Sequence, residues 1–203
     1  GALKLQNFST STTSANIAIG YDAGLNITTG QYNVIMGHNA GDAFTDADGN
    51  TAIGRNAIGQ DTLGSGSVAV GDGALFTQNY TTATAAYNTA VGHSAAYSIT
   101  TGVYNISIGA RANATSTPTT TGSYNTIIGV DARPSANSGG YQIVLGNAVT
   151  GAGDNTFSFG KASNIVHNTY TSNASWTRNS DLHKKTNIED DTLGLDFIND
   201  LRT

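Results

Sequence analysis

Nine short apolar segments of this chain each end on a glycine, and these glycines recur at nearly constant spacing. The steps between them are 17, 17, 17, 21, 17, 20, 17 and 14 residues. The glycines are Gly20, Gly37, Gly54, Gly71, Gly92, Gly109, Gly129, Gly146 and Gly160. A fixed short period is the signature of units that stack along one axis. The spacing therefore predicts a quasi-one-dimensional array, which is more typical of a rod or a surface than of a catalytic pocket.

The residues just before each glycine have the pattern of a short strand that avoids water on both faces. The position directly before the glycine is always apolar, and the position three before it is apolar or β-branched. Because alternate residues of a strand share a face, these two positions point the same way. The residue between them, such as Ala52 or Ala69, is small or apolar and points the other way. One face can fill a thin coil, so the other face predicts packing against further copies of the chain, with three-fold symmetry favoured.

Three further positions of the repeat predict how successive coils meet. The glycine is expected where φ is positive or where a Cβ would strike the next coil. Alanine recurs three residues after the glycine, which predicts a second, shorter strand with a small inward side chain. Asparagine recurs four residues before it, and stacked asparagines can form a side-chain ladder along the array. These asparagines are Asn16, Asn33, Asn50, Asn88, Asn105 and Asn125.

Composition excludes several classes of function. The 203 residues carry a net charge of -5, which argues against nucleic acid as a partner because such proteins present a basic stripe. No apolar run is long enough to insert in a membrane. The absence of cysteine from the sequence excludes disulfides and thiolate metal sites. No cofactor and no metal site are expected.

The motif N-T-A-I-G-x-x-A, as at residues 50–57 and, with valine in place of isoleucine, at residues 88–95, resembles the heads of trimeric autotransporter adhesins and similar repeats of phage tail fibres and spikes. The resemblance covers residues 14–163. It implies an all-β fold, namely a homotrimeric left-handed parallel β-roll or β-solenoid with about nine coils of modal length 17 residues. Residues 1–13 are then expected to be an N-terminal connector.

The end of the chain resembles a second family. From Ser180 it reads S-D-L-H-K-K-T-N-I-E-D-D-T-L-G-L-D-F-I-N-D-L-R, which is similar to the start of the endosialidase-type intramolecular chaperone of phage tail fibres. The resemblance implies a short α-helix over residues 194–202, a truncated chaperone start at 180–203 and a linker at 164–179. It also implies autocleavage between Ser180 and Asp181 in the full-length protein, with Lys185 as the base. A lysine can take a serine proton when desolvation lowers its pKa.

Tyrosine recurs five residues before the glycine, and it is the candidate ligand-binding residue of the array. The five positions are Tyr32, Tyr87, Tyr104, Tyr124 and Tyr141. Such a row could stack on the rings of a glycan, since tyrosine joins an apolar ring to a polar tip. It could equally pack over the coil edge or at a subunit seam, and that structural alternative is favoured.

Two other groups of polar residues are interpreted as structural. Asp46, Asp48 and Asn50 resemble part of a calcium loop but lack its glutamate, so a turn is expected. His38 and His93 share one outer register and are not expected to bind metal.

Together these features predict the structural and host-recognition part of a phage tail fibre or spike. The trimer would present a surface to a host polysaccharide or lipopolysaccharide from an extracellular position on the virion, and the repeat array would not be an enzyme. One alternative is the head of a bacterial trimeric adhesin at the cell surface. Another is a trimeric polysaccharide depolymerase whose carboxylates come from different subunits.

Overall fold

The computed structural model describes residues 14–114, 121–172 and 177–178, and these residues form strands and turns with no helix. Accordingly, no helix in these ranges is long and apolar enough to cross a membrane. The strands are β1 Ile17–Ile19, β2 Val34–Met36, β3 Thr51–Ile53, β4 Gly64–Ser65, β5 Val68–Val70, β6 Thr84–Ala85, β7 Thr89–Val91, β8 Ile106–Ile108, β9 Thr126–Ile128, β10 Ile143–Asn147, β11 Thr156–Lys161, β12 Asn164–Thr169 and β13 Thr177–Arg178.

Nine parallel strands form one side of a β-solenoid, and each lies directly before a glycine of the repeat or, in β10 and β11, includes it. Their order in the sheet is β1-β2-β3-β5-β7-β8-β9-β10-β11. Equivalent residues of successive coils pair in register, as Ile17 pairs with Val34 and Val34 with Thr51. The sequence therefore predicted the strands and their register correctly, because the repeat fixes which residues meet.

The array contains about eight turns rather than the nine coils expected from the glycine count. After β11 the chain does not begin another turn of the solenoid. Instead β11 pairs antiparallel with β12, which in turn pairs antiparallel with β13. Gly160 therefore lies within a hairpin, where it pairs with Ile165, and the segment expected to be a linker at 164–179 contains β12 and β13.

The prediction of a second strand after each glycine was wrong. That part of the coil consists of turns, in which an amide bonds back three residues, as Ala57 N donates to Gly54 O at 3.3 Å. The residue two after the glycine has a positive φ, for example 57° at Asn56 and 53° at Asn39. A left-handed residue cannot continue an extended strand. Within the described residues, the exceptions are a short parallel pair of β4 with β6, the latter inside the insertion at 76–87, and a single parallel bridge between Arg133 and Thr150.

The interior of the coil is narrow and filled by small side chains, as the alternation predicted. The middle residue of each strand points inward, and Ala52, Ala69 and Ala90 are fully buried. The alanines three after each glycine are fully buried too, as at Ala57 and Ala74. Larger residues such as Phe44 and Ile58 fill the wider parts of the coil. The outward residues of the strands consequently have no place inside their own chain.

Candidate functional site

The glycine column holds the strands of successive coils in contact. Each of the nine glycines has a φ between 126° and 144°. A Cβ on Gly92 would lie 2.6 Å from the carbonyl oxygen of Gly109 in the next coil. Both reasons expected for glycine therefore apply, since the left-handed backbone and the close approach each disfavour a side chain.

The predicted asparagine ladder is present on the buried side of the coil. Asn33 donates from its backbone N to Asn16 Oδ1 at 2.8 Å, and Asn50 N donates to Asn33 Oδ1 at 2.9 Å. A second stretch joins Asn88, Asn105 and Asn125, where Asn125 Nδ2 donates to Asn105 Oδ1 at 3.1 Å. These side chains satisfy the buried amides that lead into each strand. The ladder therefore joins successive coils at the point where the chain enters each strand.

A buried polar network bridges the two stretches of the ladder at the coil where serine replaces asparagine. Gln78 Nε2 donates to Asp61 Oδ2 at 2.6 Å and to Ser67 Oγ at 3.2 Å, and Asn88 donates to Gln78 Oε1 at 2.9 Å. Tyr80 donates its hydroxyl to a backbone carbonyl, and burial together with the nearby Asp61 raises the pKa of that hydroxyl. The sequence reasoning missed these residues, whose only signal was the break in the asparagine register.

An uncharged apolar strip runs along the outer face of the nine strands. It consists of the two outward residues of each strand, which are apolar except for Thr51, Thr89 and Thr126. The strip begins with the exposed Ile17 and Ile19 and ends with the exposed Phe159. Over eight steps of about 4.8 Å each, it extends roughly 38 Å. A continuous apolar surface of this kind is typical of an interaction site.

The strip ends in an open apolar cleft of about 700 Å³ near the hairpin. Leu145 from β10, Phe157 and Phe159 from β11, and Val166 from β12 line this cleft. The two phenylalanine rings lie with their centroids 5.4 Å apart. The hairpin therefore widens the apolar strip at one end of the solenoid.

Four of the five predicted tyrosines form a row of neighbouring rings beside the strip, here called the tyrosine ladder: Tyr87, Tyr104, Tyr124 and Tyr141. The ring centroids of Tyr87 and Tyr104 are 5.5 Å apart, those of Tyr104 and Tyr124 are 5.1 Å apart, and those of Tyr124 and Tyr141 are 4.9 Å apart. Tyr32 lies apart from this tyrosine ladder because Gly49 and Gly66 occupy the same register in the two following coils. All five tyrosines have a positive φ, between 47° and 62°.

The spacing of the tyrosine ladder limits how it can bind a sugar. Because each inner ring is covered on both faces by its neighbours, a sugar ring cannot lie between two coils. Only the edges and hydroxyls of Tyr104 and Tyr124 remain available to a ligand. A stacking site requires a ring face that is left open at an end of the row.

The outer register that contains His38 and His93 is exposed, as expected. His38 stacks on Tyr21 with centroids 5.3 Å apart, and in neighbouring coils Arg55 pairs with Asp72 at 2.8 Å. In the described part of the chain, no group of three or more His, Cys, Asp or Glu residues is placed to hold a metal ion.

The aspartates of the segment that resembled a calcium loop bond to the preceding coil. Thr29 donates its hydroxyl to Asp46 Oδ1 at 2.5 Å, and Gln31 N donates to Asp48 Oδ1 at 2.6 Å. These two carboxylates therefore already serve as acceptors within a turn.

Comparisons with protein-family models, curated proteins and solved structures found no match for this chain. Ser180, Asp181 and Lys185, the helix predicted over 194–202 and the connector at 1–13 lie outside the described residues. The surface features that bear on function are therefore the apolar strip, its cleft and the tyrosine ladder.

Proposed function

We propose that this chain is the trimeric shaft or head of a phage tail fibre or spike, which presents a host-binding surface on the virion. The observation that supports this best is the apolar strip. A slender solenoid that leaves one entire face apolar and uncharged is poorly suited to exist alone in water. Three copies can turn their strips towards a common axis and leave the remaining surface of each coil in solvent.

The proposed work of the trimer is mechanical and adhesive. Its repeat array carries the surface that contacts a host polysaccharide or lipopolysaccharide, and the array does not itself catalyse a reaction. The resemblance of residues 180–203 to an intramolecular chaperone supports the viral assignment over an adhesin head. In the proposed maturation, the full-length protein cuts itself once between Ser180 and Asp181, with Lys185 as the base that activates the serine.

The oligomeric state tests whether the apolar strip is the interface between subunits. Ile128 lies on the strip and is 38% exposed, whereas Val130, two residues later, is 41% exposed and lies outside it. We expect wild type to sediment as three copies and Ile128→Glu as one, because three carboxylates would meet without partners at the axis. The matched control Val130→Glu is expected to stay trimeric. A wild-type monomer at micromolar concentration would refute the proposed function.

Host recognition is tested by binding of the trimer to immobilised lipopolysaccharides and capsular polysaccharides from a panel of bacteria. We expect binding without release of oligosaccharide. Release of soluble oligosaccharide would instead identify a depolymerase. Binding to matrix proteins with no glycan binding would favour the adhesin alternative.

A further inference from the structure

The tyrosine ladder stops one coil before the end of the parallel sheet, because asparagine takes the register of the next tyrosine. Asn155 stands five residues before Gly160, where Tyr124 and Tyr141 stand in the two preceding coils. It keeps the same left-handed backbone, with a φ of 57°, as Tyr141 does. The backbone is therefore set for another ring in the stack, but the side chain is too small to cover Tyr141.

One face of the Tyr141 ring consequently remains open. Its other face stacks on Tyr124 at 4.9 Å with the two planes only 4° apart. Tyr141 is 57% exposed, and among the described residues no other ring stacks on it. The open face lies in a cleft of about 310 Å³ between Tyr141 and Tyr170. That volume falls at the lower end of the range of ligand pockets, about 300–1,000 Å³.

The rim of this cleft carries hydrogen-bonding groups that the fold does not use. Thr126, Ile143, Asn155 and Tyr170 line it together with the two stacked tyrosines. Tyr170 is held in place because its backbone N donates to Asn155 O at 2.9 Å. Within the described residues, the Asn155 side-chain amide forms no hydrogen bond. An amide group beside a bare aromatic face can both donate to and accept from the hydroxyl groups of a ring that stacks there.

We propose that this cleft binds one pyranose ring of a glycan, with the apolar C–H face of the sugar on Tyr141. The sugar takes the place that a further tyrosine would occupy in the ladder, and its hydroxyls bond to Asn155, whereas Thr126 and Ile143 belong to the apolar strip and form the wall of the cleft towards the trimer axis. This inference rests on the proposed function in that it locates the glycan contact of the same array. It assigns the contact to one end of the tyrosine ladder and excludes the inner rings Tyr104 and Tyr124 as stacking platforms.

The decisive variant is Asn155→Tyr in the trimeric protein, which completes the ladder and fills the cleft. The left-handed backbone accepts tyrosine, as it does at Tyr141 and Tyr124. The matched control is Gly49→Tyr, which adds a ring in the same register beside Tyr32, where the backbone has open space. The control alters a distant coil and leaves the cleft unchanged. A single cooperative thermal unfolding transition shows that each variant is folded.

Binding is measured by saturation-transfer difference NMR with the methyl pyranosides of glucose, mannose and galactose, and with ribitol as an open-chain polyol. We expect transfer to the ring C–H protons of at least one pyranoside in wild type and in Gly49→Tyr, and none to ribitol. Asn155→Tyr should weaken binding about tenfold or more. Equal binding by Asn155→Tyr, or no binding of any pyranoside by the wild-type trimer, would overturn the proposal. The latter is the outcome expected if a partner subunit fills the cleft.

The same variants separate this inference from the proposed function. If wild type and Asn155→Tyr bind the immobilised bacterial glycans equally well, the fibre function stands and the assignment of the cleft fails. If wild type binds pyranosides in the cleft but none of the bacterial glycans, the cleft stands and host recognition fails.

Discussion

At the scale of single residues, left-handed backbone conformations at fixed registers bend this chain into narrow coils. Besides the glycines, residues such as Asp22, Asn56 and Tyr104 have φ values between 53° and 57°. Each such residue costs roughly 1–2 kcal/mol when it is not glycine. Hydrogen bonds to the neighbouring coil offset that cost, as Tyr104 N donates to Ala86 O at 2.8 Å. The shape of each turn therefore depends on the coils on either side of it.

Replacement of a glycine of the column should be far more damaging than replacement of a glycine elsewhere. In Gly92→Ala the new Cβ would meet a carbonyl oxygen at 2.6 Å, with a φ of 133°. We expect a loss of about 3 kcal/mol or more in the free energy of unfolding. The control Gly49→Ala, with a φ of 66° and open space around it, should lose about 1 kcal/mol. Urea denaturation measures both, and similar losses would contradict the role of the column.

Two aspartates should respond to pH with opposite signs. Burial raises the pKa of Asp42, so the folded state holds this proton more tightly and loses stability as the pH rises through the folded pKa. A side-chain hydrogen bond from Arg111 lowers the pKa of Asp131, so its contribution is present at neutral pH and is lost as the pH falls through the folded pKa.

Melting temperatures of Asp42→Asn and Asp131→Asn at different pH values provide the measurement. At about pH 7, Asp42→Asn should melt slightly above wild type and Asp131→Asn slightly below it. Both differences should shrink towards about pH 3. Shifts of the same sign at neutral pH would show that the surroundings of one carboxyl are misassigned.

At the scale of elements, the asparagine ladder joins strands of only three residues into a continuous sheet. Asn105 shows how much one member contributes. Its Nδ2 donates to Gly122 O at 2.9 Å, and its Oδ1 accepts from Asn125 N at 3.0 Å. All of these groups are buried, so each needs its partner inside the protein.

Asn105→Ala should therefore destabilise the protein by about 3 kcal/mol, because it leaves a buried carbonyl and buried amide groups without partners. The control is Asn147→Ala at an exposed position of β10, where a change within about 0.5 kcal/mol is expected. Chemical denaturation of both variants gives the comparison. A loss of less than about 1 kcal/mol in the free energy of unfolding of Asn105→Ala would mean that water satisfies the groups that lose their partner.

At the scale of the whole molecule, polar side chains divide the interior of the solenoid into two apolar clusters. One runs from Ala23 to Ile99 and the other contains residues from Ala112 to Val149. Between them lie the buried Ser107 and Asn113, where Asn113 Nδ2 donates to Ser107 Oγ at 3.3 Å. Among the described residues, Asn113 Oδ1 is buried without a hydrogen-bond partner.

The double variant Ser107→Ala/Asn113→Leu should join the two clusters and stabilise the protein by about 1–3 kcal/mol. Leucine suits this position, because Leu75 occupies the equivalent register with a φ of 53°, close to the 55° of Asn113. The single variant Ser107→Ala should be less stable than the double one, since it leaves the Asn113 amide without a partner. A double variant that unfolds below wild type would show that the polar break is required for the fold.

The sequence by itself determined the parts of this protein that depend on local alternation and on the repeat. These include the position and register of the parallel strands, the inward alanines, the outward strip, the glycine column and the asparagine ladder. Most coils repeat the same residue types at the same offsets, so most pairings between neighbouring coils follow from a single unit. The five tyrosines could also be identified from the sequence as one register.

Only the tertiary structure decided which ring faces are covered and where the array ends. The last step is 14 residues rather than 17, and there β11 turns back on β12 instead of beginning another coil. The Asp61–Gln78–Tyr80 network and the cleft beside Tyr141 likewise arise where the repeat fails. At such places the partners come from different coils or from the hairpin, so their contacts depend on how the chain packs in three dimensions and not on the spacing within one repeat.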